Sequence, residues 1–266
     1  MSIALQVALV MVTILVVLLV IGAPIGVAIG MSSAVSMICM IPADVSFATS
    51  AQRIFAGSNS FSLIAIPFFI LAGNIMNNGG IATRLVNCAK VISGRMPGAL
   101  AQSNVVANML FGAISGSGAA AAAAMGGTIG PLEEKEGYDK NYSTAVNVAS
   151  APVGMLIPPS NTMIVYSSVA GSVSIAALFM AGYIPGLLWG GAVMILAGIM
   201  AKKRGYQAEQ RVPVKVALKT FWQAIPSLLL IVIVIGGILG GIFTATEGSA
   251  IAVVLSLIHI SEPTRH

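Results

Sequence analysis

"ISGSGAAAAAAMGG" runs from Ile114 to Gly127 and sets Ser115, Gly116, Ser117 and Gly118 against six consecutive alanines. Apolar stretches flank it, Leu100 to Ile114 before and Ala119 to Ile129 after. Neither reaches the about 20 residues that a membrane-crossing helix needs. Pieces this short suit a helical hairpin that enters a bilayer and returns on the same side. The hairpin is expected over residues 97–134, with its tip near Ser115 to Gly118 and its base in "EEKEGYDK", Glu133 to Lys140. Non-helical backbone at such a tip is tolerated only where protein or a water-filled cavity covers it.

The stretch that follows, Ala145 to Ala170, is long enough to cross but is interrupted by "GMLIPPSN", Gly154 to Asn161. Pro158 and Pro159 lack an amide hydrogen, and each disfavours helix in the residue before it. A broken membrane helix is expected over residues 141–171. Working outward, Ile3 to Ile21 and Ile25 to Ile41 read as two spans joined at Gly22-Ala23-Pro24. A polar connection with Asp44, Arg53 and Asn59 comes next. Phe61 to Met76 is a short apolar helix with Pro67 inside it, and "IATRLVNCAKVISGR" is an amphipathic helix suited to the membrane interface. Ile175 to Ala201 and Ile225 to Phe243 read as spans, separated by the exposed loop "KKRGYQAEQRVPVK". Thr244 to Glu247 fits a capping box that opens another helix.

Composition agrees. The chain has 266 residues, 57% hydrophobic and 8% charged, with mean hydropathy +0.97; a soluble domain carries about 25% charged residues. The class is an all-α polytopic membrane protein. Ile3 to Ile21 has no basic residue before it, so it reads as a membrane helix and not as a cleaved leader. Cys39 and Cys88 form no CxxC, Cys88 falling in a surface helix, and His259 and His266 offer no metal spacing. Trp189 and Trp222 read as interface anchors. The net charge of +5 is explained by orienting loops and calls for no nucleic-acid partner. Eleven of the thirteen basic residues fall on one side if the hairpin base and Lys202 to Lys215 share it. That side is then cytoplasmic and the N-terminus periplasmic.

Tip and break each free backbone carbonyls and amides from helical hydrogen bonds. Each adds neutral oxygens: Ser115 and Ser117 at the tip, Ser160, Asn161 and Thr162 at the break. Sodium takes oxygen ligands, and unwound carbonyls at mid-membrane supply them. Neither motif holds Asp or Glu, which argues against a carboxylate proton relay there. The competing reading is close packing of small residues, serines bonded back to their own helix, and a plain proline kink. Ser160 has no candidate His base, so a hydrolase reading has little support and the chain is not read as an enzyme.

"FSLIAIPFFILAGNIMNNGGIATRL", "GAISGSGAAAAAAMGG", "GMLIPPSNTMIVYS", "LFMAGYIPGLL" and "GGIFTATEGSAIAVV" stand in this order between Phe61 and Val254. Together they resemble the large membrane (permease) subunit of tripartite ATP-independent periplasmic (TRAP) transporters. The resemblance implies an elevator-type fold of two inverted repeats, each with a re-entrant hairpin and a broken helix. It implies a small membrane subunit and a periplasmic substrate-binding protein as partners, in a bacterial inner membrane. It also implies sodium as the coupling ion, no other cofactor, and organic-acid substrates such as C4-dicarboxylates or sialic acid. Carried onto this chain, Ser115, Gly116 and Ser117 with Gly154, Pro158, Ser160 and Asn161 would form the first sodium site.

The chain matches only the first repeat and the start of the second. Residues 1–96 are expected to be scaffold and interfacial helices, 97–171 the transport part, and 172–255 further helices opening the second repeat. "SLIHISEPTR" resembles a translated sequencing adapter, so 256–266 is expected to be a non-native tail and the chain a truncated N-terminal portion, inactive alone. Ala245 stands where the family commonly has proline. Two other readings compete: a related sodium/dicarboxylate-type transporter that needs no binding protein, and a non-transporting membrane scaffold subunit.

Overall fold

The computed structural model describes residues 3–171, 173–206, 208 and 213–261, and its regular structure there is entirely helical. The chain forms two compact units, 1–60 and 61–266. In the first, α1 (Ile3–Val20) packs on α2 (Ile25–Met37), which packs on α3 (Ala43–Ser58). Gly22, at φ +89°, makes the turn after α1. Pro24 and Pro42 stand in extended backbone directly before α2 and α3, where their missing N–H removes no helical bond. Two expectations change here. The second apolar run is helical for only 13 residues, because the chain turns at Ile38 to Ile41. The supposed polar connection is a helix, α3. Its polar residues hid it from a reading based on hydropathy, yet the Ser46 hydroxyl, buried, donates to the Ala34 carbonyl at 2.6 Å and ties α3 to α2.

The second unit opens with a 3-10 turn (Phe61–Ile64) into α4 (Ala65–Asn78). Pro67 falls in the first turn of α4 and not in its interior. Next come α5 (Ile81–Ser93), α6 (Ala99–Ser115), α7 (Gly118–Lys135), α8 (Lys140–Ser150), α9 (Val153–Leu156) and α10 (Asn161–Ala170). Then follow α11 (Ile175–Lys203), α12 (Val214–Leu239) and α13 (Ala245–Ser261). Helices α11 and α12, like α1, are long and apolar enough to cross a membrane; the α8–α9 segment and α10 would do so together, bent by 46°. Helix α12 begins well before the expected Ile225, taking in Lys215 from the supposed loop. The capping box is present: Thr244 donates its N–H to Glu247 Oε2 at 2.8 Å, and Glu247 donates its N–H back to Thr244 Oγ1 at 3.2 Å. Helix α13 continues through Ser261; the rest of the expected tail, 262–266, lies outside the described residues.

The hairpin α6–α7 is the centre of this unit. Phe69, Met76, Leu85, Phe111, Met125 and Ile129 are buried around it. Helix α5 lays Leu85, Val86, Cys88 and Ala89 against its neighbours α6 and α12, so Cys88 is only 2% exposed and is not a surface thiol. Hydrocarbon is as apolar as these side chains, so burial alone does not hold such helices together; close packing and interhelical hydrogen bonds must. The bonds are present. The Gln102 amide donates to the Met194 carbonyl at 2.9 Å, and Ser93 and Ser103 pair at 3.0 Å. Trp189, read from sequence as an interface anchor, is half exposed but donates its ring N–H to the Ala149 carbonyl at 2.8 Å. At the hairpin base Tyr138 stacks on Tyr142 and Tyr206, whose rings are tilted to each other, and Arg204 pairs with Asp139 at 2.9 Å. That pair and the N–H of Tyr142 hold the Asp139 carboxyl below the usual carboxylate range, the backbone bond being the larger cause.

Candidate functional site

The break between α6 and α7 is two residues wide. Gly116 adopts φ +62° as the α6 cap, and its N–H bonds to the Gly112 carbonyl at 2.8 Å. A side chain there would be strained, and its Cβ would lie 2.8 Å from the Pro159 carbonyl oxygen. Ser117 is extended, and its hydroxyl accepts the Ala120 N–H at 3.3 Å, capping α7. Ser115 closes the tip: its hydroxyl accepts the Ser117 N–H at 3.4 Å.

The second motif breaks the helix twice. After α8 the chain kinks at Ala151-Pro152, runs one turn as α9, and leaves helix at Ile157. Pro158 and Pro159 are joined by a cis peptide bond and are buried. Ser160 then caps α10, accepting the Met163 N–H at 3.3 Å and donating to the Met155 carbonyl across the break. Its hydroxyl therefore joins the two sides of the break, one role sequence reasoning did not assign.

Tip and break meet. Asn161 donates its backbone N–H to the Gly116 carbonyl at 3.2 Å and its side-chain amide to the Ser115 carbonyl at 3.4 Å. The contact is possible because the approaching residues lack side chains. A Cβ on Gly112 would lie 2.1 Å from the Gly154 Cα, and one on Gly118 would lie 2.9 Å from the Ala151 carbonyl oxygen. Of the residues singled out from sequence, Ser115, Gly116 and Asn161 share direct bonds. Gly154 packs instead on Gly112, one turn below the tip. Pro158 shapes the break without a hydrogen bond to the tip, and Ser117 faces elsewhere.

Ser117 looks into a cavity of about 270 Å³ with Ser115, Asn74 and Asn77 on its wall. The two asparagines were missed. They stand three apart on α4, Asn74 inside the stretch read only as apolar helix and Asn77 just past its end, and amides at that spacing were the available signal. Gly73 lets α4 approach: its Cβ would lie 3.0 Å from that of Ser115. One oxygen at the junction, the Asn161 side-chain carbonyl, is buried without a hydrogen-bond partner. Among the described residues, no group of three His, Cys, Asp or Glu side chains could hold a metal.

A sequence profile for the DctM component of tripartite ATP-independent periplasmic transporters matches residues 12–261. The protein YgiK of Salmonella typhimurium is 54% identical over 85% of this chain and 52% of its own length. The C4-dicarboxylate TRAP transporter large permease protein DctM of Vibrio cholerae is 42% identical over 80% of this chain and 47% of its own. The sialic acid TRAP transporter large permease protein SiaM of the same species is 40% identical over 78% and 48%. The chain thus spans about half the length of these relatives. With a buried tip–break junction in an apolar helical frame and a match across nearly its whole length, the chain belongs to the DctM family, the large permease component of TRAP transporters.

Proposed function

We propose that this chain is part of a sodium-coupled permease that imports an organic acid handed over by a periplasmic binding protein. The family is one of membrane permeases and not of enzymes. Relatives named for C4-dicarboxylates and sialic acid support the substrate class. The small membrane subunit is the expected second partner; one relative carries the name of a fused permease protein, DctMQ. The α6–α7 hairpin is read as re-entrant and α8–α10 as a broken membrane helix, moving together against the remaining helices.

The observation that carries the sodium reading is the unpartnered Asn161 oxygen beside the Ser115 and Gly116 carbonyls. A hard monovalent cation is satisfied by such neutral oxygens. Ser115, Gly116, Ser117 and Asn161 would supply them, with Gly154, Pro158 and Ser160 shaping the break. In the assembled transporter, Ser115→Ala or Asn161→Ala should raise the sodium concentration for half-maximal uptake about tenfold or more, the equivalent of about 1.4 kcal/mol. Assembly with the small subunit should persist. Unchanged sodium dependence in both, at normal expression, leaves the close-packing explanation. A binding protein that fails to stimulate uptake would favour a transporter that works without one.

Orientation is tested by labelling. The basic residues place Lys203 in the cytoplasm and α3 on the outer side. Asp44 in α3 is exposed and suits a cysteine probe. Cysteine at Lys203 should react only with reagents admitted to the cytoplasm, and cysteine at Asp44 from outside. Reversed labelling would overturn the inward assignment.

A further inference from the structure

We propose that Glu133 is a proton-binding carboxyl at the inner end of a wet pocket that opens at the hairpin base between α6, α7 and α8. The pocket has a volume of about 380 Å³. Its inner wall carries the buried side chains of Asn104, Glu133, Ser143 and Asn147, and its mouth the exposed Glu134, Lys140 and Thr144. Glu133 is 1% exposed. Its Oε1 and the Asn104 side-chain nitrogen are buried without hydrogen-bond partners. Orphaned polar groups around one polar cavity are what ordered water satisfies.

The mixture of groups selects a proton over a metal ion. Asn104 presents N–H, which repels a cation, while Glu133 presents a bare oxygen. Water and a neutral acid satisfy both. Most features around the carboxyl oppose its charge. It is buried. It lies in the last turn of α7, at the negative end of the helix dipole. Glu134 and Glu136 stand on the same helix end. From α8 and the loop before it, Tyr138, Lys140 and Tyr142 are the titratable neighbours, and none forms an ion pair with it. Helix α6 contributes the Asn104 amide and carries no titratable side chain. Helix α5 also packs on α7, but Arg84 and Lys90 are not among the groups that act on Glu133. Burial pushes the carboxyl up to about 7, with the Ser143 hydroxyl opposing the rise and Glu136 adding a smaller increment to it.

A hydronium ion entering from the mouth gives its proton to Oε1 and leaves as water; the reverse step returns it. Loss of the proton places a carboxylate against the end of α7 and loosens the seat of α8 on the hairpin. Stability follows with a definite sign. The folded state holds this proton more tightly than the unfolded chain, where glutamate titrates at about 4.3. The associated stability is full below that value and is lost as pH rises toward about 7.

The test is infrared spectroscopy of the chain in lipid nanodiscs across that pH range. A protonated-carboxyl band should persist after ordinary glutamates have ionised and vanish near neutrality. It should be absent from Glu133→Gln, and that variant should also lose the fall in unfolding temperature between those pH values. Glu136→Gln should keep the band with a lower midpoint, which decides the matter even if Glu133→Gln does not fold. In D2O the band should shift without unfolding. A wild-type band absent above the ordinary glutamate range, a band retained in Glu133→Gln, an unmoved midpoint in Glu136→Gln, or a band that does not exchange would each overturn the proposal.

Discussion

Replacing Gly112 with alanine should separate the hairpin from the broken helix. The added Cβ would sit 2.1 Å from the Gly154 Cα and 3.1 Å from its nitrogen. Both obstacles are backbone, so no rotamer change relieves the clash. Overpacking of a tight core costs about 1–3 kcal/mol and occasionally more; a contact between two main chains belongs at the upper end. Expected results are a much lower melting temperature in detergent and exposure of Ser115 to thiol labelling when it is replaced by cysteine. Gly127→Ala is the control. It lies in the same hairpin, in α7, with nothing within 4 Å of its Cβ. Removing a helical glycine there should stabilise by about 0.5–1 kcal/mol. Equal behaviour of the two variants would show that the Gly112–Gly154 approach does not hold the junction.

Asn147→Leu should be comparably damaging for a different reason. The Asn147 amide sits at the meeting of three helices. It donates to the Ala122 carbonyl in α7 at 2.9 Å and accepts from the Asn108 amide in α6 at 3.0 Å. Asn108 also donates to the Ser150 hydroxyl at 2.7 Å. Leucine has similar bulk but removes both interhelical bonds, while Asn108 keeps its donation to Ser150. Each bond contributes about 0.5–1.5 kcal/mol, so a loss of about 1–3 kcal/mol is expected. Asn147→Asp, which keeps the acceptor, should lose less if the carboxyl is protonated and more as pH rises. A leucine variant that melts like the wild type would mean that water replaces both bonds.

Much of the hairpin and the broken helix was legible because their causes are local. Glycines and serines at a tip, two prolines without N–H groups, and apolar runs too short to cross can each be read along the chain. The Thr244–Glu247 capping box was legible for the same reason, since both partners lie within one turn. Reading failed where polarity and helix parted company. The residues of α3 looked like a connection because Asp44, Arg53 and Asn59 lowered their hydropathy, yet the helix forms and is tied to α2 through Ser46. The amphipathic α5 looked like a surface helix, and packing on α6 and α12 buries Cys88 instead. Glu133 looked like one of several loop acids. Nothing in "EEKEGYDK" says which carboxyl turns inward.

The sequence by itself determined the membrane class, the family and the places where helices must stop, because these follow from hydropathy, from glycine and proline backbone chemistry, and from motifs in order. Only the tertiary structure decided what those stops touch. Residues about 40 positions apart meet because Gly112, Gly116, Gly118 and Gly154 let main chains approach, and a pairwise approach of that kind is a property of packing between helices. The same packing chose Asn74 and Asn77 for the cavity beside the tip and left the oxygen of Asn161 without a partner. Local preferences set where the chain bends; the way the bends fit one another sets which oxygens are free to bind.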